Sequence, residues 1–200
     1  MGNKSRRGTI VRNTRETRIA LALGLDGAGA SAGRINTSIP FLDHMLTLFA
    51  AHGGFDLTVT STGDLKVDDH HLVEDLGIVL GQALAKALGD KKGIRRYGDA
   101  MVPMDESLVL AAIDISGRSH LGYHLEPSEK KIKQFATDLV EEFFLGFIRN
   151  VPCTLHIRKL SGGNVHHEVE AAFKSFGQAL GAAVERRGIF KGVPSTKGLL

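Results

Sequence analysis

Two short stretches of this chain carry ligand-type side chains at helical spacing. His70, His71 and Glu74 stand in Asp69-His70-His71-Leu72-Val73-Glu74-Asp75, and His166, His167 and Glu170 stand in His166-His167-Glu168-Val169-Glu170. On a helix, a His and a Glu three or four positions apart share a face and can meet one ion. Two consecutive His side chains point about 100° apart around the axis, so they serve two ions more naturally than one. Imidazole and carboxylate without thiolate accept Mn, Fe, Co, Ni or Zn, and six-coordination with water or substrate favours Mn. The chemistry on offer is that of a two-metal centre.

The stretches are copies, 96 residues apart, and both run into the same closing tetrapeptide, Gly81-Gln82-Ala83-Leu84 and Gly177-Gln178-Ala179-Leu180. Further back, an offset of 98 residues aligns Phe55-Asp56-Leu57-Thr58-Val59 with Cys153-Thr154-Leu155-His156-Ile157 and sets His44 over Glu142. Each half therefore reads helix, strand, loop, helix, with one candidate ligand on its first helix and the His-His-x-x-Glu on its second: a tandem duplication. If each site draws on both halves, the natural division is His44, His71, Glu74 and His166 at one ion, and His70, Glu142, His167 and Glu170 at the other.

The elements that must position these residues follow from periodicity. Strands are predicted at Gly8–Arg12 and Thr17–Leu23, near Gly33–Asn36, at Phe55–Thr60, Val102–Met104, Leu108–Ile115, His120–Tyr123 and Thr154–Lys159. Helices are predicted at Phe41–Ala51, with Ser38 as a cap-like residue before Pro40, at about His70–Leu88, at Gln134–Arg149 and at Val165–Arg186. Antiparallel sheet with helices on one face, occurring twice, makes an α+β chain. It divides into a flexible N-terminus (1–8), a first repeat (9–90), a second repeat (91–186) and a C-terminal tail (187–200), which together form one catalytic unit. The tail segment Val193–Gly198 cannot be helical.

Composition narrows the class. Two hundred residues with 42% hydrophobic content support a real core. A net charge of +3 with scattered basic residues argues against a nucleic-acid partner. One cysteine excludes a disulfide framework within the chain and suits a reducing compartment. No apolar run approaches a membrane span, and the polar start lacks a signal-peptide core, so the expectation is a cytoplasmic protein without membrane contact.

Phe41-Leu42-Asp43-His44-Met45-Leu46, Asp68-Asp69-His70-His71-Leu72-Val73-Glu74-Asp75 and the second His-His-x-x-Glu closely resemble the imidazoleglycerol-phosphate dehydratases of histidine biosynthesis. The resemblance runs from Arg12-Asn13-Thr14-Arg15-Glu16-Thr17 to Pro194-Ser195-Thr196-Lys197-Gly198. It implies a duplicated fold of the ribosomal S5 domain 2-like kind and a homo-oligomeric shell of 24 subunits with active sites at subunit contacts. It also implies two Mn²⁺ ions per active site, held by His44, His70, His71, Glu74, His166, His167 and Glu170. Glu142 stands where many members have His, and a carboxylate there can ligate the same ion. Glu16 and His52 are implied near the substrate's diol and ring, and Arg96, Arg118, Lys174, Ser195 and Lys197 at its phosphate. Without the resemblance, Arg96, Arg118 and Lys174 read as solvated surface charges.

The family's reaction removes water from D-erythro-imidazole-glycerol phosphate and gives imidazole-acetol phosphate. No carbonyl acidifies the C–H that breaks. A ring bound through both nitrogens can become imidazolate and help expel the hydroxyl, while Glu16 moves the proton at the neighbouring carbon. Some relatives carry a fused histidinol-phosphatase domain; this chain lacks room for one, and a monofunctional enzyme is expected. Two other readings stay open on residues alone. One is a binuclear hydrolase of a phosphorylated small molecule, which would release inorganic phosphate. The other is a metal-binding shell protein without catalysis, in which positions 16, 96, 118 and 197 would be dispensable.

Overall fold

The computed structural model describes residues 6–29, 35–187 and 192–198. The first repeat comprises strands β1 (Arg7–Asn13), β2 (Thr17–Gly24) and β3 (Ile35–Asn36), helix α1 (Pro40–Gly53), strand β4 (Asp56–Gly63) and helix α2 (His70–Leu88). The second comprises β5 (Tyr97–Met104), β6 (Ser107–Asp114), β7 (His120–His124), a small hairpin of β8 (Lys131–Ile132) and β9 (Phe135–Ala136), then α3 (Leu139–Asn150), β10 (Thr154–Ser161) and α4 (Val165–Val184). The two main sheets have the same order, β1-β2-β4-β3 and β5-β6-β10-β7. In both, the first three strands pair antiparallel and the last joins in parallel. The α+β duplication read from the sequence is the fold.

Strand register extends the duplication into the hairpins. Leu21 faces Ile10 on one side and Val59 on the other, while Ala111 faces Ala100 and Ile157. The β1–β2 and β5–β6 hairpins are thus related by an offset of 90 residues.

The helices cross between repeats. Helix α2 packs on β1 and β2 of its own half and on α3 of the other, while α4 packs on β5 and β6 and on α1. The shared tetrapeptides sit at these crossings. A Cβ on Gly81 would meet the Phe147 carbonyl oxygen at 2.4 Å, and one on Gly177 the Phe49 oxygen at 2.5 Å. The Ala83 and Ala179 oxygens lie against Gly8 and Gly98. These approaches leave no room for a side chain at Gly81 and Gly177, or at Gly8 and Gly98 opposite, which accounts for the glycine that heads both tetrapeptides. Between the crossings Phe49, Phe55, Phe143, Phe144, Phe147, Phe173 and Phe176 are fully buried. Phe176 lies 5.0 Å from Phe49 and 5.1 Å from Phe147, ring centroid to ring centroid. Aromatic residues of both halves therefore form one core, and neither repeat has a core of its own.

Four expectations need correction. The first repeat starts before residue 9: Arg6 is buried and β1 begins at Arg7, while residues 1–5 lie outside the described set. Ser38 is not the cap of α1; its φ is 69° and its hydroxyl donates to the Ser61 carbonyl, while Thr37 and Asp43 bond across the helix start. Gln134–Asp138 is not helical. Phe135–Ala136 is a strand, the Thr137 amide and hydroxyl donate to the carbonyls of Lys130 and Glu129 across the hairpin, and α3 starts at Leu139. Helix α4 ends at Val184, short of Arg186. Of the expected strand near Gly33–Asn36, Ile35–Asn36 is present and the rest lies outside the described residues. Among the described residues no helix is long and apolar enough to cross a membrane.

Arg6 binds the start of the chain to the end of α4. It donates to the Val184 carbonyl at 2.5 Å and forms an ion pair with Asp26. The hydrogen bond from Arg6 holds the Asp26 carboxyl below its ordinary value, against the opposing effect of partial burial. A carboxylate lowered on folding stabilises above its unfolded pKa and ceases to do so as pH falls through the folded one. Asp26 is 47% exposed, so solvent screening limits the contribution. Asp26→Asn should cost no more than about 1 kcal/mol at pH 7 and nothing near pH 2, read from urea unfolding at the two pH values.

Candidate metal centre

Helix α4 begins at a true side-chain cap: Asn164 Oδ1 accepts from the backbone amides of His166 and His167 at 2.9 and 3.4 Å. That cap places the two His in the first turn with Glu170 one turn on. Because α1 crosses α4, His44 of the first repeat arrives beside them. Glu170 Oε2 lies 3.3 Å from His44 Nε2 and 3.2 Å from His166 Nε2. The other carboxylate oxygen is taken by Lys174 Nζ at 2.7 Å, so Oε2 is the one turned to both rings. Burial pushes the Glu170 carboxyl up, but the Lys174 hydrogen bond and charge, with His44, outweigh it and hold the group ionised.

This trio fits an ion. Two imidazole nitrogens and a carboxylate oxygen all lie within 4.8 Å of one another. Their spacing from Glu170 Oε2 matches the roughly 3 Å edges of a coordination shell with bonds of about 2.0–2.2 Å. Both halves contribute, and within one chain Glu170 stands with His44 and His166, while His167 stands with Asp105 and Glu106. The crossing of α1 on α4 brings His44, His166 and Glu170 together, while α2 meets α3.

The remaining expected ligands sit elsewhere. His70, His71 and Glu74 are half-buried in the first turns of α2, and Glu142 is half-buried on α3. Among the described residues His70, Glu74 and Glu142, the duplication mates of the trio, do not close to the same spacing. His71 Nδ1 is held by Asp64 Oδ2 at 3.0 Å, and that hydrogen bond raises the ring above its ordinary value. His167 joins a second cluster with Asp105 and Glu106, from the turn between β5 and β6.

Glu16 is exposed at the turn between β1 and β2, with Oε2 4.0 Å from His71 Nδ1. It lines a 310 Å³ depression with Thr14, Arg15, Thr62, Gly63 and Asp64. The turn is fixed from below. Asp75, buried in α2, accepts from Arg12 Nε at 2.9 Å and from the Thr17 hydroxyl at 2.5 Å. His52 ends α1 on the Glu170 side; partial burial, then the Lys174 charge, lower its pKa. Arg96 pairs with Asp114 at 2.7 Å and donates to the Pro194 carbonyl at 3.0 Å, which anchors the tail carrying Ser195 and Lys197. Arg118 is exposed before β7.

Sequence reasoning missed Asp64, Asp75 and Glu106. Asp75 was within reach of it, because it closes the Asp-His-His-x-x-Glu-Asp stretch and has Ala171 as its counterpart in the second copy.

A family model described as imidazoleglycerol-phosphate dehydratase matches residues 37–180, which span α1 through most of α4 and so hold the trio and both His-His-x-x-Glu stretches. The chain belongs to the imidazoleglycerol-phosphate dehydratase family. Membership makes it a hydro-lyase. The chain is 55% identical over 196 residues to the imidazoleglycerol-phosphate dehydratase of Geobacter sulfurreducens, covering 98% of this chain and 100% of the relative. It is 53% identical over 197 residues to that of Ralstonia nicotianae, covering 98% and 100%. Among solved structures, imidazoleglycerol-phosphate dehydratase from Staphylococcus aureus subsp. aureus N315 superposes with a TM-score of 0.81 at 42% identity, covering 90% of this chain and 99% of that one. The enzyme from Pyrococcus furiosus, solved in complex with (S)-C348, gives 0.82 at 42% identity, covering 96% and 100%.

Proposed function

We propose that this chain dehydrates D-erythro-imidazole-glycerol phosphate to imidazole-acetol phosphate in histidine biosynthesis, in a Mn²⁺-dependent reaction in the cytoplasm. The observation that carries this is the convergence of His44 with His166 and Glu170 in a chain of the imidazoleglycerol-phosphate dehydratase family. Two Mn²⁺ ions per active site would be held by His44, His70, His71, Glu74, Glu142, His166, His167 and Glu170. When bound, they would supply Lewis acidity that makes the substrate's ring N–H easier to deprotonate, and the ring, having given up that proton, can push electrons toward the departing hydroxyl.

The chain's own residues do the rest. Glu16 takes the proton from the carbon next to the ring-bearing one, and the hydroxyl leaves the ring-bearing carbon. Together these amount to one water and leave an enol that tautomerises to the ketone. Lys174 keeps Glu170 ionised and oriented. Arg118, Lys174, Ser195 and Lys197 grip the phosphate, and Arg96 holds the tail through Pro194 as well as offering charge. His52 flanks the substrate's ring and diol.

Five of the eight proposed ligands lie outside the trio, which supports sites completed by neighbouring copies; a homo-oligomer of 24 subunits is the assembly that resemblance to the family implies. The test is turnover by metal-stripped protein before and after addition of Mn²⁺. Activity that falls to background on stripping and returns with about two Mn²⁺ per chain is expected; full activity in stripped protein would contradict it.

A further inference from the structure

The duplication gives Glu16 an internal counterpart. The 90-residue offset of the hairpins puts Glu106 where Glu16 stands and Ser107 where Thr17 stands. Each glutamate sits just before the second strand of its hairpin, next to the second His of its own repeat's helix motif. Glu16 Oε2 is 4.0 Å from His71 Nδ1, and Glu106 Oε1 is 3.2 Å from His167 Nδ1.

The surroundings of the two have diverged. In the first repeat Asp64, directly after β4, takes the His71 ring, and Asp75 takes the Thr17 hydroxyl. Glu16 is left 54% exposed. In the second repeat the position after β10 is Gly162, where a Cβ would stand 2.3 Å from Glu168 Oε1, and the counterpart of Asp75 is Ala171. Neither can hold the ring or the hydroxyl, and Glu106 does both. Its Oε1 takes His167 Nδ1, the Ser107 hydroxyl at 3.1 Å and the backbone amide of Asn164 at 3.1 Å, the residue that caps α4.

A carboxylate only accepts, so the ring nitrogen facing it must carry the proton. We propose that Glu106 is a positioning residue: it locks His167 as the Nδ1–H tautomer, leaving Nε2 unprotonated and available as a metal ligand, while its counterpart Glu16 is released for substrate. Carboxylate–histidine pairs of this kind fix ligand orientation and basicity at metal sites. The inference rests on the metal-dependent reading above, but its test needs no turnover.

The probe is Mn²⁺ itself, titrated into metal-stripped full-length protein and followed by electron paramagnetic resonance. ¹⁵N spectra of the histidine rings, recorded on the metal-free protein, report the tautomer. Glu106→Ala is expected to weaken one class of Mn²⁺ site about 10- to 100-fold and to move His167 away from the Nδ1–H tautomer. Glu106→Gln, which keeps a neutral acceptor for both the ring and the Asn164 amide, should fall between, and Glu16→Gln should leave Mn²⁺ affinity unchanged. If Glu106→Ala does not fold, the Gln variant decides. Wild-type Mn²⁺ affinity and an unchanged His167 tautomer in the Gln variant and in any folded Ala variant would overturn the proposal. Wild-type protein that binds Mn²⁺ tightly but turns over no substrate would remove the dehydratase reading alone, and wild-type protein that binds none would remove both.

Discussion

Glu16→Gln is expected to lower kcat on D-erythro-imidazole-glycerol phosphate by on the order of 10²–10⁴-fold, the range for removal of a positioned general base. The change is isosteric and removes only the charge and the basic oxygen. Glu16 is exposed, reaches His71 no closer than 4.0 Å, and its turn is held by Thr17 on Asp75, so the fold does not depend on its carboxylate. Melting behaviour and Mn²⁺ content should therefore match the wild type while kcat falls. Steady-state kinetics beside a metal titration check this. An unchanged kcat would remove Glu16 from the proton transfer, and a parallel loss of Mn²⁺ would make it a ligand support.

Gly98→Val should cost at least about 3 kcal/mol of stability, beyond the usual range for overpacking, because the collision is with backbone. A Cβ at position 98 would stand 1.9 Å from the Ala179 carbonyl oxygen and 2.8 Å from the Ala183 nitrogen. Neither side can yield cheaply: Gly98 is paired with Ile113 inside β5, and Ala179 is in the middle of α4. Any shift of α4 also moves His166 and Glu170, so metal binding should fall with stability. Gly8, whose Cβ would meet the Ala83 oxygen at 1.9 Å, should respond in the same way. Gly54 provides the contrast. It has open space around it and a φ of 70°, so Gly54→Ala should cost only the left-handed backbone penalty of about 1–2 kcal/mol. Urea unfolding of the three variants checks the order, and a Gly98 variant as stable as the Gly54 one would contradict it.

The duplication was the most legible part of the fold. The repeat was visible because its constraints are tight and local. Ligand spacing on a helix and a glycine pressed against a neighbouring backbone both leave few residues to choose from. Helix and strand identities followed, since each element keeps one period of burial. The segment before α3 did not follow, because Phe135 and Leu139 are four apart and both buried, which mimics a helix. Thr137 bonds across the hairpin to Lys130 and Glu129, contacts seen only in three dimensions. Phe135 instead packs its ring at a tilt against Phe41, whose ring meets His166 edge-on, so this hairpin braces the candidate metal centre.

The meeting of His44 with His166 and Glu170 was not legible for a related reason. Residue spacing tells which side chains share a helix face, but not which helix of the other repeat that face will meet. Only the crossing of α1 on α4 gives Glu170 to His44. Likewise Glu16 and Glu106 do not align at the offset of 96 or 98 residues that fits the helices and the third strand. The hairpins carry their own offset of 90, which emerges from strand register.

The most direct measurement is the identity of the product. Mn²⁺-reconstituted protein would be incubated with D-erythro-imidazole-glycerol phosphate and the mixture followed by ³¹P and ¹³C NMR. Conversion to a single phosphate ester bearing a ketone carbon, with no inorganic phosphate, is the result this account requires. Release of inorganic phosphate, with the diol left intact, would contradict it and make the paired ligand motifs the centre of a hydrolase.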